Sequence, residues 1–174
     1  MKRFLFAVLG CLACGVAWAA TPLPEAVQRD LPDAELHGET VYRFLGLKVY
    51  EICLWAPGGK YSPGKPFALS LQYDMNFKGA DIAKRSVDEM RGQGYGPEEK
   101  LERWRAQMVK VFPDIKPGDT LIGVSEPGKE VRFYTRDKFI AAVPDPEFSQ
   151  AFFDIWLSDK TSEPGLRKRL TEKK

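Results

Sequence analysis

Apolar and polar positions alternate between Phe67 and Asp74, with Phe67, Leu69, Leu71 and Tyr73 on one face and Ser70, Gln72 and Asp74 on the other. A period of two is the mark of a half-buried strand. Leu47–Trp55 reads as a second strand, and His37–Leu45 alternates weakly before Gly46 bends the chain. Pro57-Gly58-Gly59 and Ser62-Pro63-Gly64 mark a long turn region between strands. After Gly79 the period changes. Ala83, Val87 and Met90 recur at four and three residues, which predicts a helix over Ala80–Arg91. Gly92–Gly96 breaks it. Pro97 opens a second helix, where its missing N–H costs nothing, with an apolar stripe of Leu101, Trp104, Met108 and Val111 that ends at Pro113.

The chain then returns to strands. Thr120–Ser125 and Glu130–Arg136 flank Glu126-Pro127-Gly128-Lys129, a hairpin signal, and a short extended piece follows at Lys138–Val143. Asp145 or Pro146 opens a helix to Leu157 that has little polar face and therefore calls for deep burial. A last helix runs from Pro164 to Glu172, with Ser162 as a candidate cap and Leu166 and Leu170 facing inward. The class is α+β, with antiparallel strands and helices laid on one face.

The N-terminus follows a different logic. Lys2 and Arg3 precede an uncharged stretch from Phe4 to Gly15, and Ala17-Trp18-Ala19 supplies a small-x-small cleavage pattern. Residues 1–19 are therefore expected to be a signal peptide cut before Ala20, placing the protein in a bacterial periplasm. The alternative is a buried N-terminal helix. Residues 20–35, rich in proline and acidic side chains, read as an irregular arm, and 36–174 as one domain. No segment besides the leader is apolar enough to enter a bilayer, so an integral membrane protein is not expected.

Charge and cysteine usage narrow the classes further. The 174 residues carry 26 Lys and Arg against 24 Asp and Glu, and loss of Lys2 and Arg3 with the leader leaves 24 of each. A neutral mature chain gives no support to nucleic-acid binding. The basic terminus, Arg167-Lys168-Arg169 and Lys173-Lys174, suits a helix C-terminus and solubility. Cys11 and Cys14 leave with the leader, so Cys53 has no partner for a disulfide and reads as a buried inert thiol.

Chemistry-bearing motifs are sparse. The single histidine, His37, excludes a His-rich metal site, and a Cys53–His37 dyad has nothing to orient the imidazole. Gly92-Gln93-Gly94-Tyr95-Gly96 joins two helices and lacks the lysine of a nucleotide loop, so it is a linker. Asp88 and Glu89 are adjacent carboxylates that point in different directions along a helix. What remains is a set of polar residues within apolar strands. Tyr42 and Arg43 point to opposite faces, as do Val49 and Tyr50. Arg43 either anchors a carboxylate in an apolar pocket or lies on the wet face of the sheet.

Several ordered fragments carry a resemblance. Leu36-His37-Gly38-Glu39-Thr40-Val41-Tyr42-Arg43-Phe44-Leu45-Gly46-Leu47-Lys48-Val49-Tyr50, then Leu71-Gln72-Tyr73-Asp74-Met75-Asn76-Phe77, then Lys116-Pro117-Gly118-Asp119 resemble bacterial chalcone isomerase-like proteins. The closing run Phe153-Asp154-Ile155-Trp156-Leu157-Ser158-Asp159-Lys160-Thr161-Ser162 is the most specific piece. The resemblance implies a chalcone isomerase-like fold, a large antiparallel sheet covered on one face by helices, with a ligand cleft between the layers. Plant enzymes of that superfamily close a flavanone ring with an early-strand arginine, a tyrosine, an asparagine and threonine hydroxyls. Non-enzymatic members bind fatty acids, with arginine and tyrosine at the carboxylate.

Carried over, the early arginine falls on Tyr42, the catalytic tyrosine near Ile82 and the asparagine near Glu89. None of these keeps the isomerase chemistry. The expectation is thus a non-catalytic periplasmic binding protein for a small apolar or amphiphilic ligand such as a fatty acid. Its polar contacts come from Tyr42, Arg43, Tyr50 and Tyr73, with no catalytic residue, metal or cofactor. The alternatives are an isomerase or intramolecular lyase acting on a chalcone-like enone, and a structural partner-binding module whose cleft has collapsed. An open cavity separates the first two from the third.

Overall fold

The computed structural model describes residues 22–172, so the expected leader, its expected cleavage site and Lys173-Lys174 lie outside the described residues. Six strands form one antiparallel sheet in sequence order: β1 (Ala34–Phe44), β2 (Leu47–Pro57), β3 (Phe67–Tyr73), β4 (Thr120–Glu126), β5 (Glu130–Thr135) and β6 (Phe139–Val143). The helices are α1 (Glu25–Asp30), α2 (Gly79–Gly92), α3 (Glu98–Val111), α4 (Pro146–Leu157) and α5 (Pro164–Thr171). The α+β class follows, and no helix among the described residues is long and apolar enough to cross a membrane.

Side chains with a period of two supply the inner face of the sheet. Ile52, Leu54, Leu69, Leu71 and Phe133 pack with Ala83, Val87 and Met90 of α2, Trp104 of α3 and the aromatic run of α4. Burying each of these large side chains contributes about 1.5–3 kcal/mol. α4 is held at its start by Asp145, whose carboxylate accepts from the Phe148 N–H and from Trp104 Nε1, each at 2.9 Å. That double acceptor caps one helix and ties it to another.

The arm departs from the irregular reading. It contains α1, and Leu23, Val27 and Leu31 bury themselves against Cys53, Trp55, Ile122, Val124 and Tyr134 on the outer face of the sheet. A six-residue helix is marginal alone. Burial of Val27 against the sheet stabilises it, a tertiary effect that local patterning does not carry. The Tyr134 hydroxyl donates to Asp30, which also pairs with Arg132 at 3.1 Å, so the arm is fixed at its far end.

Two bulges set the aim of β1 and β2. His37 is the extra residue of one, between the Leu36↔Trp55 and Gly38↔Leu54 pairs. Its ring lies within 3.0 Å of the Gly59 carbonyl and 3.1 Å of the Thr171 carbonyl, tying the turn region to the end of α5. This is a structural role, with Cys53 turned to the outer face. Val49 is the extra residue of the other, between Tyr42↔Tyr50 and Arg43↔Lys48. The local distortion brings both Val49 and Tyr50 to the inner side, against the alternation expected of them. Ser162 does not cap α5 either; Glu163 occupies that position, and the Ser162 hydroxyl turns elsewhere.

Candidate functional site

Between the inner face of the sheet and the α2–α4 layer lies an open cavity of about 460 Å³. Its floor is Leu69, Leu71, Leu121, Gly123 and Phe133; its roof is Ile82, Ser86, Phe152, Ile155 and Trp156. Size and an apolar lining with few polar groups are the usual properties of a small-molecule site. Gly123 leaves room where a larger residue would not fit: a Cβ there would sit 3.2 Å from the Phe153 ring.

One wall is a row of tyrosines. Tyr42, Tyr50 and Tyr73 are direct cross-strand partners on β1, β2 and β3. The first two rings stack at 5.0 Å between centroids, Tyr73 meets Tyr50 edge-on at 5.7 Å, and Phe77 extends the row at 5.6 Å from Tyr73. Such pairs contribute about 0.5–1.5 kcal/mol beyond burial and hold the rings rigid. Trp156 Nε1 donates to the Tyr50 hydroxyl at 3.1 Å, so the phenol proton remains to be offered to another acceptor. Burial pushes the Tyr50 and Tyr73 phenols far up, and Tyr42 is raised by burial and then by Glu163. All three are neutral donors at any physiological pH.

The mouth carries the charges. Arg85 and Glu89 pair across one turn of α2, and the other Glu89 oxygen accepts from Ser162 Oγ at 2.8 Å. Asp81 and Glu163 complete the rim. Arg85 is thus the guanidinium of the cavity, already partnered by a carboxylate. Asp88, by contrast, points away and pairs with Lys84 at 2.9 Å and Arg91 at 2.7 Å. The adjacent acids Asp88 and Glu89 do diverge, one outward and one to the cavity.

Of the four residues expected to meet a ligand, Tyr42, Tyr50 and Tyr73 come together in the cavity wall. Arg43 does not. It lies exposed near the β1–β2 turn, its guanidinium 3.4 Å from the Gly46 carbonyl, so the wet placement is the one found. Arg85, Glu89 and Ser162 were missed as a constellation. An Arg and a Glu four apart read as a solvated helix face, and only the flanking Ile82 and Ser86 signal that this face turns inward.

The remaining candidates stay structural. Cys53 is buried on the outer face, its thiol pushed up to about 12 by burial and by the Glu51 and Glu39 carboxylates. A thiol so raised is a poor nucleophile. The Gly92–Gly96 segment is a linker pinned to α4: Tyr95 donates to the Asp154 carboxylate at 2.6 Å, and Gln93 Nε2 to the Asp154 carbonyl at 2.9 Å.

Comparison with known proteins agrees with this architecture. The profile of the family described as chalcone isomerase-like matches residues 16–171. An uncharacterized protein of Haemophilus influenzae is 27% identical over 137 residues, covering 78% of this chain and 67% of that one. Among solved structures, an Arabidopsis thaliana fatty-acid binding protein superimposes with a TM-score of 0.61 at 13% identity, covering 80% of this chain and 87% of the other.

Proposed function

The chain belongs to the chalcone isomerase-like family, and from that premise we propose that it is a non-catalytic binding protein for a small apolar or amphiphilic molecule, such as a fatty acid, working in the periplasm. The observation that carries this reading is the open 460 Å³ cavity, apolar along its length and lined at one wall by neutral phenols. A collapsed cleft, as a purely structural module requires, is at odds with it. The hydrocarbon part of the ligand lies against Leu71, Phe133 and Phe152, and its polar end meets the tyrosine hydroxyls or the Arg85–Glu89–Ser162 cluster.

The wall supports binding over ring closure. Ile82 and Glu89, near which the resemblance puts the tyrosine and asparagine of the plant enzymes, both line the cavity. Ile82 has no proton to give, and a carboxylate at Glu89 opposes an approaching phenolate. The expected leader at residues 1–19 supports export. The structural similarity to a fatty-acid binding protein of Arabidopsis thaliana supports the ligand class.

Tyr50→Phe tests the polar end. A hydrogen bond of ordinary strength contributes about 1 kcal/mol net, so affinity for a fatty acid is expected to fall about three- to tenfold. A pure hydrocarbon of similar length should bind the variant as it binds the parent. Displacement of a fluorescent apolar probe measures both. Equal losses for both ligands would remove Tyr50 from the polar contacts.

A further inference from the structure

The turn between β1 and β2 breaks two rules at once. Its central residues, Leu45 and Gly46, both have positive φ, at 49° and 83°. That is the tight hairpin geometry for which Asn-Gly is preferred, and leucine pays a steric cost there. Leu45 is also 87% exposed, with its neighbours Phe44 at 60% and Leu47 at 62%. A strained leucine this exposed contributes little to the core. An outlier of this kind points to a use outside the molecule.

The residues behind the apex are layered. Phe44 pairs with Leu47 across the ladder, Arg43 with Lys48 behind them, and Tyr42 with Tyr50 behind those. Apolar tip, basic collar and aromatic row follow one another along the hairpin. Lys48 is paired with Asp74 at 3.1 Å and Glu51 at 3.5 Å, whereas Arg43 has no carboxylate partner among the described residues. At about 3.3 Å per residue, the apex stands roughly 7 Å beyond the collar, within the ~5–10 Å to which interfacial elements sink into a bilayer. Phe44 and Leu47, with the half-exposed Met75, also form the rim of the cavity. The apolar surface therefore runs without interruption from the exposed tip to the interior.

We propose that the β1–β2 tip docks on a lipid bilayer, with Phe44, Leu45 and Leu47 in the acyl boundary and Arg43 at the phosphates, so that the cavity mouth opens onto the membrane surface. A molecule too apolar to cross water then enters along Phe44, Leu47 and Met75. The few protruding side chains are too small a surface for a stable protein contact, which takes about 800 Å² per partner. The Arg43 guanidinium, which pairs with no carboxylate among the described residues, suits a lipid phosphate.

The test is flotation of the purified protein with vesicles of phosphatidylethanolamine and phosphatidylglycerol, for the parent and for Leu45→Asn and Arg43→Gln. The parent is expected to float with the vesicles. Leu45→Asn should lower its partition about tenfold or more, while raising thermal stability, since asparagine tolerates the left-handed conformation. That combination separates lost docking from lost folding. Arg43→Gln should weaken binding chiefly at low salt. A parent that stays in the aqueous fraction, or a Leu45→Asn variant that floats equally well, overturns the proposal. So does a tip-dependent dimer in solution, which would assign the surface to a second copy. Because probe binding in vesicle-free solution is read separately, a failure of docking leaves the cavity reading standing, and a failure of the cavity is seen on its own.

Discussion

Replacing Ser86 with tryptophan is expected to abolish uptake of apolar molecules while leaving the protein folded. Ser86 is buried on α2, lines the cavity roof, and donates a hydrogen bond back to the Ile82 carbonyl at 2.9 Å. In a filled core a larger side chain costs about 1–3 kcal/mol through overpacking. Here the space is already open, and an indole there adds apolar contact against Leu71 and Phe133 instead of strain. The melting temperature should therefore hold or rise, and affinity for a fluorescent fatty acid should fall by more than about tenfold as the occupied volume is removed. Ser86→Ala is the control. It keeps the volume and should bind as the parent does. A large loss of stability in the tryptophan variant would mean that the cavity is not open in solution.

Gly79→Ala should cost more stability than any exposed substitution. A Cβ at Gly79 would stand 2.0 Å from the Phe112 carbonyl oxygen and 3.0 Å from that of Pro113, both backbone atoms that cannot step aside. The same corner is clamped by Asp114, which accepts from the Gly79 N–H at 3.0 Å and pairs with Lys78 at 2.8 Å. Alanine must push the start of α2 away from the end of α3. The expected cost is about 3 kcal/mol, a fall in melting temperature of roughly 6–12 °C for a domain of this size. Since α2 carries Ile82, Arg85, Ser86 and Glu89, ligand affinity should fall with it. A melting temperature within about 1 °C of the parent would mean that the two helices are not packed this closely.

The elements most legible in the sequence were those whose pattern is local. Phe67–Tyr73, the hairpin around Pro127-Gly128, and the three long helices follow from alternation, turn residues and 3.6-residue stripes. The arm was less legible, because α1 exists through Val27 meeting the far face of the sheet, a contact between residues distant in sequence. Val49 misled for a related reason. Its bulge depends on pairing with β1, so alternation within β2 alone assigns it to the wrong side.

The candidate site divides along the same line. Three of its tyrosines were visible as polar residues within apolar strands, and their register across β1, β2 and β3 joined them. Arg43 looked equally good by that criterion. Its strand partner is Lys48, next to the turn, where the side chain has water to enter. The guanidinium at the cavity came from a helix instead, where Arg85 with Glu89 four residues on has the pattern of an ordinary surface pair.

A small apolar or amphiphilic molecule held in the cavity would show itself as added mass on the folded chain. Native mass spectrometry of detergent-free protein, before and after incubation with a long-chain fatty acid and with its methyl ester, tests this most directly. One adduct per chain is expected, either carried through purification or acquired on incubation, and absent from Ser86→Trp. A single bare mass under every condition, or an adduct that Ser86→Trp retains in full, would contradict it.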